Sequence, residues 1–101
     1  MQYIKVRWIH DLADGPVWLY SEVDDQWCEQ RKVEVFIDGR TGFASSSETS
    51  LETRLSLEPL PTLADIASDP QFEPQVITAE EFHRVWAARR ENVLSLLEPG
   101  S

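Results

Sequence analysis

The chain has 101 residues, of which 42% are hydrophobic and 27% charged, and its formal net charge at pH 7 is −9. This length and composition are typical of one soluble globular domain over residues 1–101, with a single hydrophobic core. The excess of acidic residues argues against nucleic acid as a partner, because the phosphate backbone would repel such a protein.

The first part of the chain predicts two antiparallel strands separated by a loop. We expect strands over residues 2–10 and 17–23, where side chains alternate between the two faces of a sheet. On the second strand, this alternation separates Trp18 and Tyr20 from Leu19. Short connections favour a meander of neighbouring strands.

The strongest local signal is a β-hairpin centred on Asp38-Gly39. Before this pair, β-branched and aromatic residues alternate with charged ones, and a shorter run follows it. Asp-Gly between two such runs favours a tight turn, because the turn needs positive φ at its centre. We therefore expect a third strand over residues 26–37 and a fourth over residues 40–45.

The middle of the chain contains a polar loop and weaker signals. Residues 51–57 alternate again and are able to supply an edge strand, which two prolines then end. A short helix is expected over residues 62–67, with Thr62 as its N-cap. Residues 71–76 should be extended, because each proline restricts the residue before it.

The clearest helix begins at Thr78. Thr78 and Glu81 form a capping-box pattern, which would satisfy N–H groups that the first turn leaves unpaired. Phe82 and Trp86 lie on one stripe, and the helix is expected to reach Asn92. The predicted fold is α+β: an antiparallel meander of four to five strands with the C-terminal helix packed on one face.

Several stretches of the sequence, taken together, match a known family pattern. They are YIKVRWIHD (3–11), PVWLYSE (16–22), RKVEVF (31–36), the Asp38-Gly39 turn and DPQFEP (69–74). In these stretches the chain resembles a family of small uncharacterised bacterial proteins that share a domain of unknown function. The resemblance covers most of the chain and implies no activity and no functional residues.

The end of the chain carries a second resemblance. The sequence FEP (72–74), followed by EEF (80–82) and Trp86, is similar to the ends of some bacterial toxin-immunity proteins. This resemblance favours a protein toxin as the partner.

His10 beside Asp11 is the candidate catalytic pair. A general base needs a carboxylate that orients its imidazole, so the pair predicts, as an alternative function, a small hydrolase or ligand-binding protein with a pocket there. A histidine at a strand end is more often bonded to a nearby loop, so we expect no enzyme.

The sequence offers no pattern for a metal or a cofactor. Its two histidines and single cysteine lack zinc-ligand spacing, and its glycines form no phosphate-binding loop. We therefore expect neither a metal nor a cofactor. Because Cys28 has no partner for an intramolecular disulfide, and neither a signal peptide nor a membrane span is evident, we expect a cytoplasmic protein.

Trp18, Tyr20 and Phe36 fall opposite the best aliphatic stripes of their strands. If the sheet is covered on one side, these aromatic side chains form an exposed strip suited to binding a partner. The alternative is that the segment over residues 55–77 wraps over the strip and buries it.

An acidic segment lies between Arg54 and Arg84, where no basic residue occurs. It is either a solvated face that keeps the protein soluble or a surface complementary to a basic protein.

We predict a non-catalytic acidic protein-binding module that acts as a monomer or weak dimer. The most concrete version of this prediction is an immunity-type inhibitor of a basic toxin. A housekeeping protein with no dedicated ligand is a further alternative. The predicted partner-binding residues are Trp18, Tyr20, Phe36, Asp65, Asp69 and Glu73.

Overall fold

The computed structural model describes residues 1–11, 15–50 and 53–90. Within these residues the five strands form one antiparallel sheet, and a C-terminal helix packs on one of its faces, so the expected α+β fold is confirmed. The elements in chain order are β1 (Gln2–Trp8), β2 (Pro16–Val23), β3 (Glu29–Phe36), β4 (Thr41–Ala44), α1 (Leu63–Ala67), β5 (Phe72–Ile77) and α2 (Ala79–Ala87). The strand order across the sheet is β4-β3-β2-β1-β5.

The fifth strand is the extended segment after α1, and the expectation that residues 51–57 supply an edge strand is wrong for the described part, residues 53–57. β5 pairs with β1 at the opposite edge of the sheet from β4. An edge is where a strand tolerates proline, and β5 contains Pro74. The chain therefore crosses the sheet between β4 and β5, and we call residues 53–71 the crossover segment.

The hairpin forms where the sequence predicts it, but its turn is of another type. Gly39 N–H donates to the Phe36 carbonyl oxygen at 2.9 Å, and Phe36 N–H donates to the Arg40 carbonyl oxygen at 2.9 Å. Gly39 has a φ of 90°, whereas Asp38 is not among the described residues with positive φ. The connection is therefore a three-residue loop with glycine in the left-handed region, not a tight two-residue turn.

β3 begins at Glu29, later than the expected Gln26, because the residues before it form a turn. Asp24 Oδ1 accepts hydrogen bonds from the N–H groups of Gln26 and Cys28, each at 2.9 Å. Trp27 has a φ of 64°, which costs energy in a residue with a side chain of this size. The Asp24 carboxylate thus fixes a turn that alternation of side chains does not reveal.

The strand register gives the sheet two faces with different covers. Tyr20 lies opposite Val33, and Trp18 lies opposite Val35, so these four side chains share one face. Phe82 of α2 is fully buried against this face. We call it the helix face, and it contains the aromatic part of the core.

The opposite face is covered by the crossover segment. Ile4 lies opposite Ser21, and Val6 lies opposite Leu19, so these residues share that face. Ile4 is 1% exposed and Val6 is 6% exposed. We call this the crossover face.

α2 begins as predicted, and its first turn makes one unexpected contact. Thr78 Oγ1 accepts from Glu81 N–H at 3.1 Å, which confirms the N-cap. The Glu81 carboxylate accepts from Lys5 Nζ of β1 at 3.0 Å. α2 ends at Ala87, and the predicted end at Asn92 lies outside the described residues.

A partly buried ion pair joins β2 and β3 beneath the end of α2. Arg31 donates from Nε and Nη2 to the two oxygens of Glu22, at 2.8 and 2.6 Å. The Arg31 guanidinium also lies 5.1 Å from the ring centroids of both Phe82 and Trp86. The hydrogen bond from Arg31 holds the pKa of the Glu22 carboxyl below its usual value.

Replacement of Phe82 by Ala tests the helix-face core. The variant should lose about 3–5 kcal/mol of unfolding free energy, because a fully buried ring is removed and a cavity remains. Ile37→Ala is the control, since that side chain is 71% exposed. Urea unfolding of both variants measures the difference, and equal losses would contradict the packing described above.

The Glu22–Arg31 pair predicts a loss of stability in acid. Because the folded-state pKa of Glu22 lies below the unfolded value of 4.5, its contribution is present above that value and is lost as the pH falls through the folded pKa. Between about pH 7 and about pH 3, the unfolding free energy of the wild type should therefore fall more than that of Glu22→Gln. Parallel pH dependences would show that this pair contributes nothing to stability.

Candidate binding groove

An open groove of about 560 Å³ lies between the crossover face and the crossover segment. Its floor consists of Ile4, Val6 and Leu19 from the sheet, and Leu60 and Ile66 form an apolar wall opposite. Concave sites of this size with mainly apolar walls are the usual form of binding sites in proteins. The groove is therefore the candidate functional site, and polar residues lie at both of its ends.

A β-bulge places the first of these polar residues. Glu22 pairs with Arg31, but the next residue, Val23, pairs with Glu29, so Gln30 is an extra residue in β3. An extra residue reverses the alternation of side chains between the two faces. Glu29 consequently lies on the crossover face although Arg31 lies on the helix face.

Glu29 ties the crossover segment to the sheet. Its carboxylate accepts from Ser21 Oγ at 2.9 Å and from Ser56 N–H at 2.7 Å. Lys32 Nζ lies 3.1 Å from the same carboxylate, and the Glu29 side chain is 2% exposed. Removing a carboxylate from water is costly unless donors replace the lost hydration. The three donors replace that hydration when the crossover segment buries the carboxylate.

A second tie lies further along β3. The Thr53 hydroxyl donates to Glu34 Oε1 at 2.8 Å, and Thr53 is 2% exposed. Lys32 Nζ also donates to the Arg54 carbonyl oxygen at 2.9 Å. Together these bonds hold the start of the crossover segment against the β3 end of the groove.

The other end of the groove is acidic. Asp65 and Asp69 line it from α1 and from the turn that follows, and both are exposed. α1 packs on β5, so this end lies on the far side of the sheet from β3. The groove is thus lined by four carboxylates, Glu29, Glu34, Asp65 and Asp69, against the single ammonium group of Lys32. Their formal charges leave an excess of negative charge around an apolar floor.

Two of the predicted partner-binding residues, Trp18 and Tyr20, lie on the helix face. Tyr20 is 1% exposed and belongs to the core cluster with Phe82 and Val85, and burial raises the pKa of its hydroxyl. Trp18 is half-buried with Lys5 Nζ 5.2 Å from its ring centroid. α2 covers this face, so the expectation that residues 55–77 cover it is wrong.

The structure does not bring the six predicted residues together. Phe36 follows Val35 in β3 and therefore points to the opposite face from Trp18, with the Arg40 guanidinium 5.4 Å from its ring. Glu73 Oε1 lies 3.7 Å from Arg7 Nη1, and Arg7 lies opposite Trp18 in the strand register, on the helix face. Of the six, Asp65 and Asp69 reach the groove.

His10 lies away from the residues that line the groove. Its Nε2 donates to the Pro16 carbonyl oxygen at 2.7 Å, and its ring centroid is 4.5 Å from that of Trp8. Asp11 is exposed.

In the described part of the chain, no group of three or more His, Cys, Asp and Glu side chains is arranged to hold a metal ion. No described helix is long and apolar enough to cross a membrane.

Sequence reasoning missed the floor of the groove and Glu34. Alternation places Leu19 and Glu34 on defined faces of their own strands, but it does not say which faces of neighbouring strands coincide. The pairing of Leu19 with Glu34 brings them together. The proline-rich sequence near residues 59–61 was a signal that this segment lies over the sheet as irregular backbone rather than within it.

Replacement of Glu29 by Ala tests the tie between the sheet and the crossover segment. The variant should lose about 3 kcal/mol of unfolding free energy, because Lys32 is left without its carboxylate and the Ser56 N–H without its acceptor. Glu58→Ala is the matched control on the exposed side of the crossover segment. Chemical denaturation gives both values, and a Glu29→Ala protein as stable as the control would refute the tie.

Comparison with known proteins identifies the family. The model of a family described as a domain of unknown function, DUF6881, matches residues 2–91, and the chain therefore belongs to that family. No curated protein matches the chain. No solved structure matches it either.

Proposed function

We propose that this member of the family is a non-catalytic binding module that receives a basic segment of a protein partner in the groove. The observation that carries the proposal is the apolar lining of the groove between acidic ends, in which Leu19, Leu60 and Ile66 are half-buried and accessible. Aliphatic side chains of a partner would be buried against this lining, while its Lys or Arg side chains would meet the carboxylates. The occupant is therefore expected to combine positive charge with apolar side chains.

The charge around the groove supports the same choice of partner. No basic residue occurs between Arg54 and Arg84, and this stretch includes most of the crossover segment. A surface with one sign of charge raises the association rate of an oppositely charged partner and repels partners of the same sign. With a net charge of −9, the whole chain adds to that attraction.

The finer form of the proposal is an immunity-type inhibitor of a basic bacterial toxin. An inhibitor of such a toxin needs charge that complements the basic surface of the toxin and an interface that excludes water. In this form the protein acts in the cytoplasm as a monomer or weak dimer. The resemblance of its end to immunity proteins supports this form.

A hydrolase or ligand pocket around His10 and Asp11 has less support. His10 Nε2 is engaged by the Pro16 carbonyl oxygen at 2.7 Å, and neither residue is among those that line the groove. A general base must reach the proton that it removes from a substrate. The groove offers a better-formed site than the surroundings of His10.

Short synthetic peptides test the proposed recognition directly. Gly-Lys-Leu-Lys-Gly should bind, and Gly-Glu-Leu-Glu-Gly should not, because only the first complements the carboxylates of the groove. The Asp65→Asn/Asp69→Asn protein should bind the basic peptide about fivefold more weakly, since two exposed ion pairs are lost. Titrations followed by NMR of the isotope-labelled protein give the dissociation constants.

The control for this experiment is Glu58→Gln/Glu80→Gln. Both residues are exposed within the acidic segment, neither is among the residues lining the groove, and the change in net charge is the same. This protein should bind within about twofold of the wild type, because distant exposed charges are screened by salt. If both double variants lose affinity equally, the acidic segment acts as a general solvated face and the proposal is wrong.

A further inference from the structure

A carboxylate lies beside an aliphatic side chain at the β3 end of the groove. Glu34 lies between Leu19 of β2 and Gly42 of β4 in the sheet. Leu19 and Glu34 both line the groove, and Leu19, which is half-buried, provides an aliphatic surface beside the carboxylate. A group that enters this end of the groove therefore meets the Glu34 carboxylate beside an apolar surface.

Glu34 also carries the uncompensated charge at this end. Lys32 is paired with Glu29 at 3.1 Å, so these two charges offset each other. None of the ion pairs among the described residues includes Glu34. An incoming cation would consequently pair with Glu34 rather than compete with Lys32 for its partner.

The hydrogen bonding of Glu34 distinguishes between two kinds of cation. Thr53 Oγ1 donates to Glu34 Oε1 at 2.8 Å and takes one of the two acceptor positions of that oxygen, whereas no described group donates to Oε2. A guanidinium group binds best when both carboxylate oxygens accept from its two parallel N–H groups, so here it would have to share Oε1 with the Thr53 hydroxyl. An ammonium group is a compact point charge on a flexible aliphatic stem and needs one oxygen.

We infer that the β3 end of the groove binds a primary alkylammonium group, which in the protein partner is a lysine side chain. The aliphatic stem lies on Leu19, and the ammonium donates to Glu34 Oε2. Long basic side chains commonly bury their methylene stems along apolar surface while the charged end finds a polar partner. This inference rests on the proposed function, and it specifies the group that the groove recognises.

Small amines test the inference without a partner protein. Pentylammonium is the probe, and butylguanidinium is the matched compound with a forked head group. Pentylammonium should bind the wild type more tightly and should shift the NMR signals of Leu19, Gly42 and Thr53. Equal or tighter binding of butylguanidinium, or shifts that do not include these residues, would overturn the inference.

A variant of Glu34 provides a second measurement. Glu34→Gln keeps an oxygen that accepts from Thr53 but removes the charge, and it should bind pentylammonium about tenfold more weakly, as loss of a charged hydrogen bond predicts. Glu58→Gln is the control and should bind like the wild type. Unchanged affinity of Glu34→Gln would also overturn the inference.

The peptide Gly-Arg-Leu-Arg-Gly separates this inference from the proposed function. If it binds as well as or better than Gly-Lys-Leu-Lys-Gly, and Asp65→Asn/Asp69→Asn weakens both, the choice of lysine is wrong although the groove still binds basic segments. If neither peptide binds, the proposed function is wrong. Preference for the lysine peptide that Glu34→Gln abolishes supports both.

Discussion

The buried Glu29 carboxylate is the constraint on which the rest of the structure depends. It accepts from Ser21 of β2 and Ser56 of the crossover segment, and it pairs with Lys32 of β3. A carboxylate that is 2% exposed is stable only with its donors in place, so the crossover segment covers it in the position where the Ser56 N–H reaches it. The groove is the space that remains where the crossover segment, held at this point, continues toward β5.

β3 organises the covers of both sheet faces because its bulge separates two charged residues. Glu29 lies on the crossover face, and Arg31 lies on the helix face between Glu22 and the rings of Phe82 and Trp86. Without the extra residue in the strand, both side chains would lie on one face. One irregularity in the strand thus supplies the polar contact beneath each cover.

The position of the crossover segment places part of the negative charge of the chain beside apolar surface. Its backbone lies over an apolar sheet face, and Asp65 and Asp69 therefore lie at the edge of an apolar floor. The same carboxylates on a separate loop would mainly be solvated. Because they share the groove with the half-buried Leu19, Leu60 and Ile66, the carboxylates stand beside accessible apolar surface, which is the combination that binding of a basic segment requires.

The sequence by itself determined the features that depend on neighbouring residues: alternating strands, the hairpin at Asp38-Gly39, the helix start at Thr78 and the acidic segment. It did not determine the phase between strands, and this is why Tyr20 was predicted as a partner-binding residue although it shares a buried face with Val33. That phase depends on register and on bulges, which appear when strands pair. The path of the crossover segment depends on bonds such as that from Ser56 to Glu29, whose partners are distant in the chain. The groove is made of these long-range contacts, so only the tertiary structure revealed it.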